Sequence, residues 1–340
     1  MPVNKKTKLH KTLNIALRLL IIAVAYAFIY FRIFHKSDIR NLWNTFSEHF
    51  QDEVFYKSLS FLFLLMLVNW GIEALKWKFL VKKIEKVSFL KSYKAVFTGI
   101  TVSSFFPNRI GEYFGRVFVF ETANRWEGIL CTIVGSMSQL LVTLLAGLIG
   151  LTVFVFSFLH PEMYLFGYAG YGFIFMMILS FICLLFLYFH VSLLANIRLR
   201  YRRAWIKKAM KHLHVFASFS TKELSKILLY SAIRYFIFSM QFYLLLQMFA
   251  IPVSFCSALL LISVIYLIMA SIPTIALTEL GVRGSVALFI FDFYFTQVGT
   301  AATASDPGIF AASTLLWLIN IALPALVGTF FVYQLKFIRK

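Results

Sequence analysis

The chain has 340 residues, of which 61% are hydrophobic and only 14% are charged, and 40 of them are phenylalanine. Soluble globular domains are about 45–50% apolar and about 25% charged. The composition therefore excludes soluble, disordered, collagen-like and disulfide-rich secreted proteins, and it predicts an all-α polytopic membrane protein. We expect residues 1–340 to form a single transmembrane domain without a separate soluble catalytic domain.

The formal net charge of +19 comes mostly from short basic segments between apolar stretches. Under the positive-inside rule, such segments face the cytoplasm. They are residues 1–18, 76–94 and 191–226 and the terminal Lys336, Arg339 and Lys340. This distribution argues against nucleic acid as a partner. It predicts a membrane protein with both termini in the cytoplasm.

Six apolar stretches are long enough to cross a bilayer, which takes about 20 residues. They are residues 13–34, 56–75, 128–158, 165–190, 226–250 and 309–335. The first has no small-residue cleavage site after it, so we expect an uncleaved transmembrane helix rather than a signal peptide.

Two further apolar regions, residues 95–120 and 256–298, are interrupted near their middle by proline, glycine and charged residues. We predict that each region forms two half-helices arranged as a re-entrant hairpin. For the second region, two ordinary short spans joined by a turn remain an alternative.

The order of these segments predicts an inverted repeat. Residues 56–158 form the first half and residues 226–335 the second, with helix 165–190 as the connector and 191–226 as a basic cytoplasmic loop. Paired interruptions at corresponding positions of two halves are typical of the binding site of a transporter.

Two loop segments, 39–54 and 201–219, place apolar residues on one face and charged residues on the other. They predict helices lying on the outer and inner membrane surfaces, respectively. Packing against other helices is the alternative for both.

Charged side chains at membrane depth are costly, so they often mark functional sites. The two interrupted regions contain six such residues, of which Asp292 is the least certain to lie at depth. The other five are the candidate substrate-binding residues: Arg109, Glu112, Arg116, Glu279 and Arg283. Arginine beside the start of a half-helix suits a phosphate, because both offer N–H donors to an anion.

Five residues are the candidates for the hairpin turns, because proline and glycine allow tight turns and close backbone approach. They are Pro107, Asn108, Gly111, Pro273 and Gly281. An alternative is that the charges only form internal ion pairs, Arg109 with Glu112 and Glu279 with Arg283.

Other polar residues are expected to have structural roles. Glu73 and Lys76 predict a solvated pair at a helix end, and Arg234 predicts a side chain that reaches the membrane surface. The three cysteines are interpreted as packing residues. No catalytic motif or metal-ligand spacing is present, so neither an enzyme nor a metal or other cofactor is expected.

The interrupted regions contain two motifs that resemble a known family. Pro107-Asn108-Arg109-Ile110-Gly111-Glu112 is similar to a Pro-Gly-Arg-Leu/Ile-Gly-Glu motif, with Asn108 in place of glycine. Glu279-Leu280-Gly281-Val282-Arg283-Gly284 is similar to a motif ending Gly-x-Arg-Glu, with Gly284 in place of glutamate. On these motifs the chain resembles the lysylphosphatidylglycerol synthase transmembrane region, a flippase-like membrane family.

The resemblance implies a lipid translocase without an aminoacyl transferase. Its expected substrate is a phospholipid, an aminoacylated lipid or a polyprenyl-phosphate-linked lipid with an anionic or zwitterionic head group. Two alternatives remain: a secondary transporter of a small solute, and a non-transporting accessory subunit of an envelope-lipid synthesis enzyme. Self-association is also left open.

Overall fold

The computed structural model describes residues 53–104, 106, 109–158, 168–192, 212–273, 276–299 and 306–333. These residues form helices and short connections without a strand, which confirms the all-α prediction for this part of the chain. The predicted span 13–34, most of the two predicted surface helices and both termini lie outside the described residues.

The first half contains two long helices that flank two shorter ones. They are α1 (Glu53–Val81), α2 (Phe89–Ser103), α3 (Gly111–Val117) and α4 (Arg125–Phe158). Ser88 caps α2 by accepting a hydrogen bond from the backbone N–H of Lys91. The interruption between α2 and α3 falls inside the predicted broken region 95–120.

The described chain continues with a connector helix and six further helices. The helices are α5 (Tyr168–Phe189), α6 (His214–Ala217), α7 (Thr221–Met248), α8 (Phe255–Ser271), α9 (Ala276–Val298), α10 (Asp306–Trp317) and α11 (Leu323–Tyr333). A capping box of Ser220 and Glu223 begins α7. The interruption between α8 and α9 falls inside the predicted broken region 256–298.

Five of the six predicted spans coincide with helices long and apolar enough to cross a membrane. These are Phe55–Val81, Arg125–Phe158, Gly170–Phe189, Thr221–Met248 and Pro307–Tyr333. The protein is therefore a multi-pass membrane protein. Whether the helix pairs α2–α3 and α8–α9 are re-entrant stays a prediction.

Helices of the two halves pack against each other. α1 packs on α7, α4 packs on α8, and α2 packs on α11. All residues of α2 from Ala95 to Ser103 are buried. α5 packs on α4 but leaves most of its apolar side chains exposed, as expected of a peripheral helix that faces lipid.

The last span contains a turn of π-helix, Leu318–Ala322, between α10 and α11. Pro324 follows it and explains its position, because proline has no N–H to donate and its ring would collide with the carbonyl group of Asn320 in an α-helix. The π-turn places Asn320 on the wall of the cavity described below.

Glu85 lies in the connection between α1 and α2. Its side chain binds the backbone of a second connection, the one between α3 and α4. Its carboxylate accepts hydrogen bonds from the backbone N–H groups of Glu121, Thr122 and Ala123, at 3.1, 2.8 and 2.9 Å. The ammonium group of Lys91 lies 3.2 Å away. Burial raises the pKa of Glu85, but the three backbone hydrogen bonds outweigh it and hold the pKa at about 2.

We expect Glu85→Gln to destabilise the protein by roughly 1.5–3 kcal/mol at neutral pH, because the hydrogen bonds to a charged acceptor are weakened. The folded state lowers this pKa from 4.5, so the stabilisation is present above that value and is lost as pH falls towards about 2. Thermal unfolding in detergent checks this. The difference in unfolding midpoint between wild type and variant is expected to shrink from pH 6 to pH 3. A difference that stays constant over this range would contradict the prediction.

Candidate functional site

A cavity of about 530 Å³ lies among α1, α3, α4, α7, α8, α9 and the π-turn, so both halves contribute to its wall. Its charged lining residues are Glu73, Lys76, Arg109, Glu112, Arg234, Glu279 and Arg283. These side chains, together with Arg116, form two groups of ion pairs, which are named below after their central carboxylates.

The Glu73 cluster joins three cations to one buried carboxylate. Glu73 Oε1 lies 2.8 Å from Arg116 Nη1, and Glu73 Oε2 lies 2.8 Å from Lys76 Nζ. Glu73 Oε2 also pairs with Arg234 Nη1, and Arg116 pairs in addition with Glu112. Through this cluster, one residue of α1 connects α3 to α7.

The predictions for Glu73, Lys76 and Arg234 are wrong. The side chains of Glu73 and Lys76 are only 6% and 1% exposed, so their pair is buried rather than solvated. The Arg234 side chain is only 13% exposed, because its guanidinium points inwards to Glu73. The sequence spacing showed only Lys76 as a partner, whereas Arg116 and Arg234 approach from helices that are distant in the chain.

Arg234 is held by further contacts that fix its orientation. Its Nε donates to Asn69 Oδ1 at 3.1 Å, and its Nη1 donates to Gln139 Oε1 at 3.2 Å. Its guanidinium also lies 5.1 Å from the centre of the Trp70 ring. A guanidinium bound on both edges and one face has little freedom to rotate.

The Glu279 cluster connects the two interrupted regions. Glu279 Oε1 lies 2.7 Å from Arg283 Nη2, one turn further along α9, and 2.9 Å from Arg109 Nη2. The Arg109 side chain is 42% exposed, and its backbone has a φ of 56°, a left-handed conformation that is costly for a residue other than glycine. Arg109 therefore forms its ion pair with Glu279 from a strained backbone conformation.

The structure brings four of the five candidate substrate-binding residues to the cavity wall: Arg109, Glu112, Glu279 and Arg283. Arg116 does not line the cavity but stands behind it, between Glu73 and Glu112. Of the alternative internal pairs, Glu279 with Arg283 is present. Glu112 pairs with Arg116 instead of Arg109. Asp292 is exposed and does not line the cavity.

The candidate turn residues have different positions. Pro107 and Asn108 lie outside the described residues. Gly111 begins α3, and Pro273 lies in the connection between α8 and α9. The prediction for Gly281 is wrong, because this residue lies within α9 and the turn comes before the helix.

The two clusters together contain more positive than negative charge. Their five basic and three acidic side chains leave a formal excess of two positive charges. In addition, Nε and Nη1 of the buried Arg283 have no hydrogen-bond partner among the described residues. Unpaired buried donors cost about 1–3 kcal/mol each, so an acceptor for them would be stabilising.

The family model of the lysylphosphatidylglycerol synthase TM region matches residues 15–328. The chain belongs to this family. Searches of curated proteins and of solved structures gave no match. The match to the lysylphosphatidylglycerol synthase TM region includes both interrupted regions and all eight residues of the two ion-pair clusters.

Three site residues of this member of the lysylphosphatidylglycerol synthase TM region were not predicted from the sequence: Glu73, Lys76 and Arg234. A signal for Glu73 was available, because it lies inside the predicted span 56–75, where an acidic residue is costly. Arg234 likewise lies inside a predicted span. The depth of these charges within their spans is the signal that points to a site, whereas their nearness to the helix ends points to solvent.

Proposed function

We propose that this protein is a lipid translocase and that the cavity between its halves receives a phosphate-containing lipid head group. The excess of two positive charges in the clusters around a cavity within membrane-spanning helices carries the proposal. An unmatched charge is expensive in a low-dielectric interior, so such a cavity favours an anionic ligand. Membership of a family named for a lipid synthase supports a lipid as that ligand.

In this proposal Arg283 and Arg109 bind the phosphate, and Glu279 is their counter-charge when the cavity is empty. A guanidinium donates two parallel hydrogen bonds to a phosphate, which a point charge cannot do. Both arginines donate a hydrogen bond to Glu279 Oε1. An incoming phosphate therefore has to replace a single carboxylate oxygen to bind both guanidinium groups. The Glu73 cluster acts as the rigid wall, because Arg116 and Arg234 are already bound on several sides.

We place the protein in the bacterial inner membrane with both termini in the cytoplasm. The basic segments 76–94 and 191–226 support this orientation. The substrate is a phospholipid, an aminoacylated lipid or a polyprenyl-phosphate-linked lipid, and the protein itself carries out no catalytic step. A lipid-synthesis enzyme is the proposed source of the substrate.

Reconstitution into liposomes tests the proposal. Head-group-labelled lipids are exchanged between leaflets, and a membrane-impermeant quencher reports the fraction exposed outside. We expect Arg283→Gln to slow exchange about tenfold to a hundredfold, since it removes charge-assisted hydrogen bonds worth roughly 1.5–3 kcal/mol. Lys57→Gln is the matched control, because Lys57 lies exposed near the start of α1 and, within the described part of the chain, its one ion pair is with the exposed Glu53.

Equal exchange in the two variants would contradict the proposed site. Absence of exchange in wild type, with a panel that includes a polyprenyl phosphate, would contradict the function. Uptake of a water-soluble substrate by the same liposomes would then indicate a solute transporter. Co-purification with a synthase would indicate an accessory subunit.

A further inference from the structure

A second cavity, of about 360 Å³, lies outside the first, where the end of α1 and the chain that follows it face α7. Three lysines line it: Lys78, Lys82 and Lys86. They follow one another at intervals of four residues: Lys78 lies in the last turn of α1, and Lys82 and Lys86 lie in the chain that follows it. We call this second cavity the lysine groove.

The lysines of the groove differ from neighbouring lysines, because they have no acidic partner among the residues that the structure describes. Lys76, Lys83 and Lys91 each bind a carboxylate, at 2.8, 2.6 and 2.9 Å. By contrast, the three groove lysines form no ion pair within the described part of the chain, and the lining residues include no acid. The lysines between residues 76 and 91 that bind no carboxylate in the described part of the chain therefore lie together in the groove.

Nearby carboxylates are bound elsewhere. Glu85 accepts hydrogen bonds from the connection between α3 and α4, and Glu223 pairs with Lys83. A fourth lysine adds to the charge, because Lys226 of α7 lies 4.9 Å from the centre of the Phe79 ring, and Phe79 lines the groove. Among the residues that the structure describes, no carboxylate therefore lines the groove.

An apolar surface leads into the groove from the membrane-spanning part of α1. Leu64, Val68 and Leu75 are exposed and are separated by four and seven residues, so they share one helix face. Leu75 and Phe79 continue this face into the groove lining, where Tyr230 of α7 stands opposite. An acyl chain can therefore lie along α1 while its head group meets the lysines.

We propose that the lysine groove binds the head group of an anionic phospholipid, as a resident lipid that is distinct from the cargo of the central cavity. Basic pockets between spanning helices bind anionic head groups, and each lysine near the surface contributes about 1 kcal/mol. This binding is independent of transport, because no residue of the groove belongs to the Glu73 or Glu279 cluster.

Photo-crosslinking of the full-length protein in liposomes tests this proposal. The probe is a photoactivatable phosphatidylglycerol, and the crosslinked peptides are identified by mass spectrometry. We expect crosslinks to the peptide that contains residues 75–87, with much less yield from a phosphatidylcholine probe of the same chain length. The triple variant Lys78→Gln, Lys82→Gln, Lys86→Gln is expected to need roughly a hundredfold or more lipid probe for equal yield, at about fivefold per lysine.

The control is the double variant Lys57→Gln, Lys222→Gln, which removes exposed lysines outside the groove and is expected to retain the wild-type yield. The thermal unfolding midpoint of each variant shows whether it is folded. An unchanged yield in the triple variant, or crosslinks confined to peptides outside residues 75–87, would overturn the proposal. Complete competition by inorganic phosphate at equal concentration would show a free-anion site and would also overturn it.

Discussion

Glu73→Gln is expected to destabilise the protein by about 3–5 kcal/mol and to abolish transport. The substitution leaves Lys76, Arg116 and Arg234 together in a buried cluster without their shared carboxylate. Removing one partner of a buried ion pair is far more costly than the pair itself is stabilising, because the remaining charge is neither solvated nor matched. Of the carboxylates in the described residues of the cluster, Glu112 would remain, and it pairs with Arg116 but not with Lys76 or Arg234.

Thermal unfolding in detergent measures this effect against Glu53→Gln. Glu53 belongs to the same helix and also pairs with a lysine, but its side chain is 82% exposed, so its loss is expected to cost less than about 1 kcal/mol. The double variant Glu73→Gln, Lys76→Met is expected to recover part of the loss, because it removes one unmatched cation. Similar midpoints for the two single variants would show that the Glu73 cluster contributes no special stability.

Much of the architecture could be predicted from the sequence because it depends on local composition. A run of about 20 apolar residues must form a helix in a membrane, since every backbone polar group needs a partner within the segment. The two interruptions were also visible, because proline and charged residues end an apolar run. The helix bounds were less predictable: α1 extends to Val81, well beyond the predicted end at residue 75.

The pairing of the charges could not be predicted in the same way. Sequence spacing reveals partners three or four residues apart, such as Glu279 and Arg283. It gives no signal for Arg109 with Glu279 or for Arg234 with Glu73, which are joined only when distant helices pack. The sequence therefore supplied most of the charged candidates, while the folded structure determines which of them share a carboxylate.

The close approach of α3 to α2 leads to the other prediction with a large effect. At Gly115 of α3, an added Cβ would lie 2.7 Å from the Cα of Gly99 and 3.0 Å from the carbonyl oxygen of Thr98. Both of these atoms belong to the backbone of α2, which is buried from Ala95 to Ser103 and cannot move aside as a side chain can. Gly115→Ala must therefore displace α3 itself.

We expect Gly115→Ala to destabilise the protein by about 1–3 kcal/mol or more, as overpacking does, and to reduce lipid exchange at least tenfold. The second effect follows because Arg116, the next residue, would be moved from its 2.8 Å contact with Glu73.

Gly71→Ala is the matched control, since an added Cβ there meets nothing within 4 Å and alanine favours the α1 helix. Thermal unfolding and the liposome assay measure both effects. If Gly115→Ala exchanged lipid at the wild-type rate, the position of α3 would not matter for transport, and Arg116 would have no part in shaping the cavity.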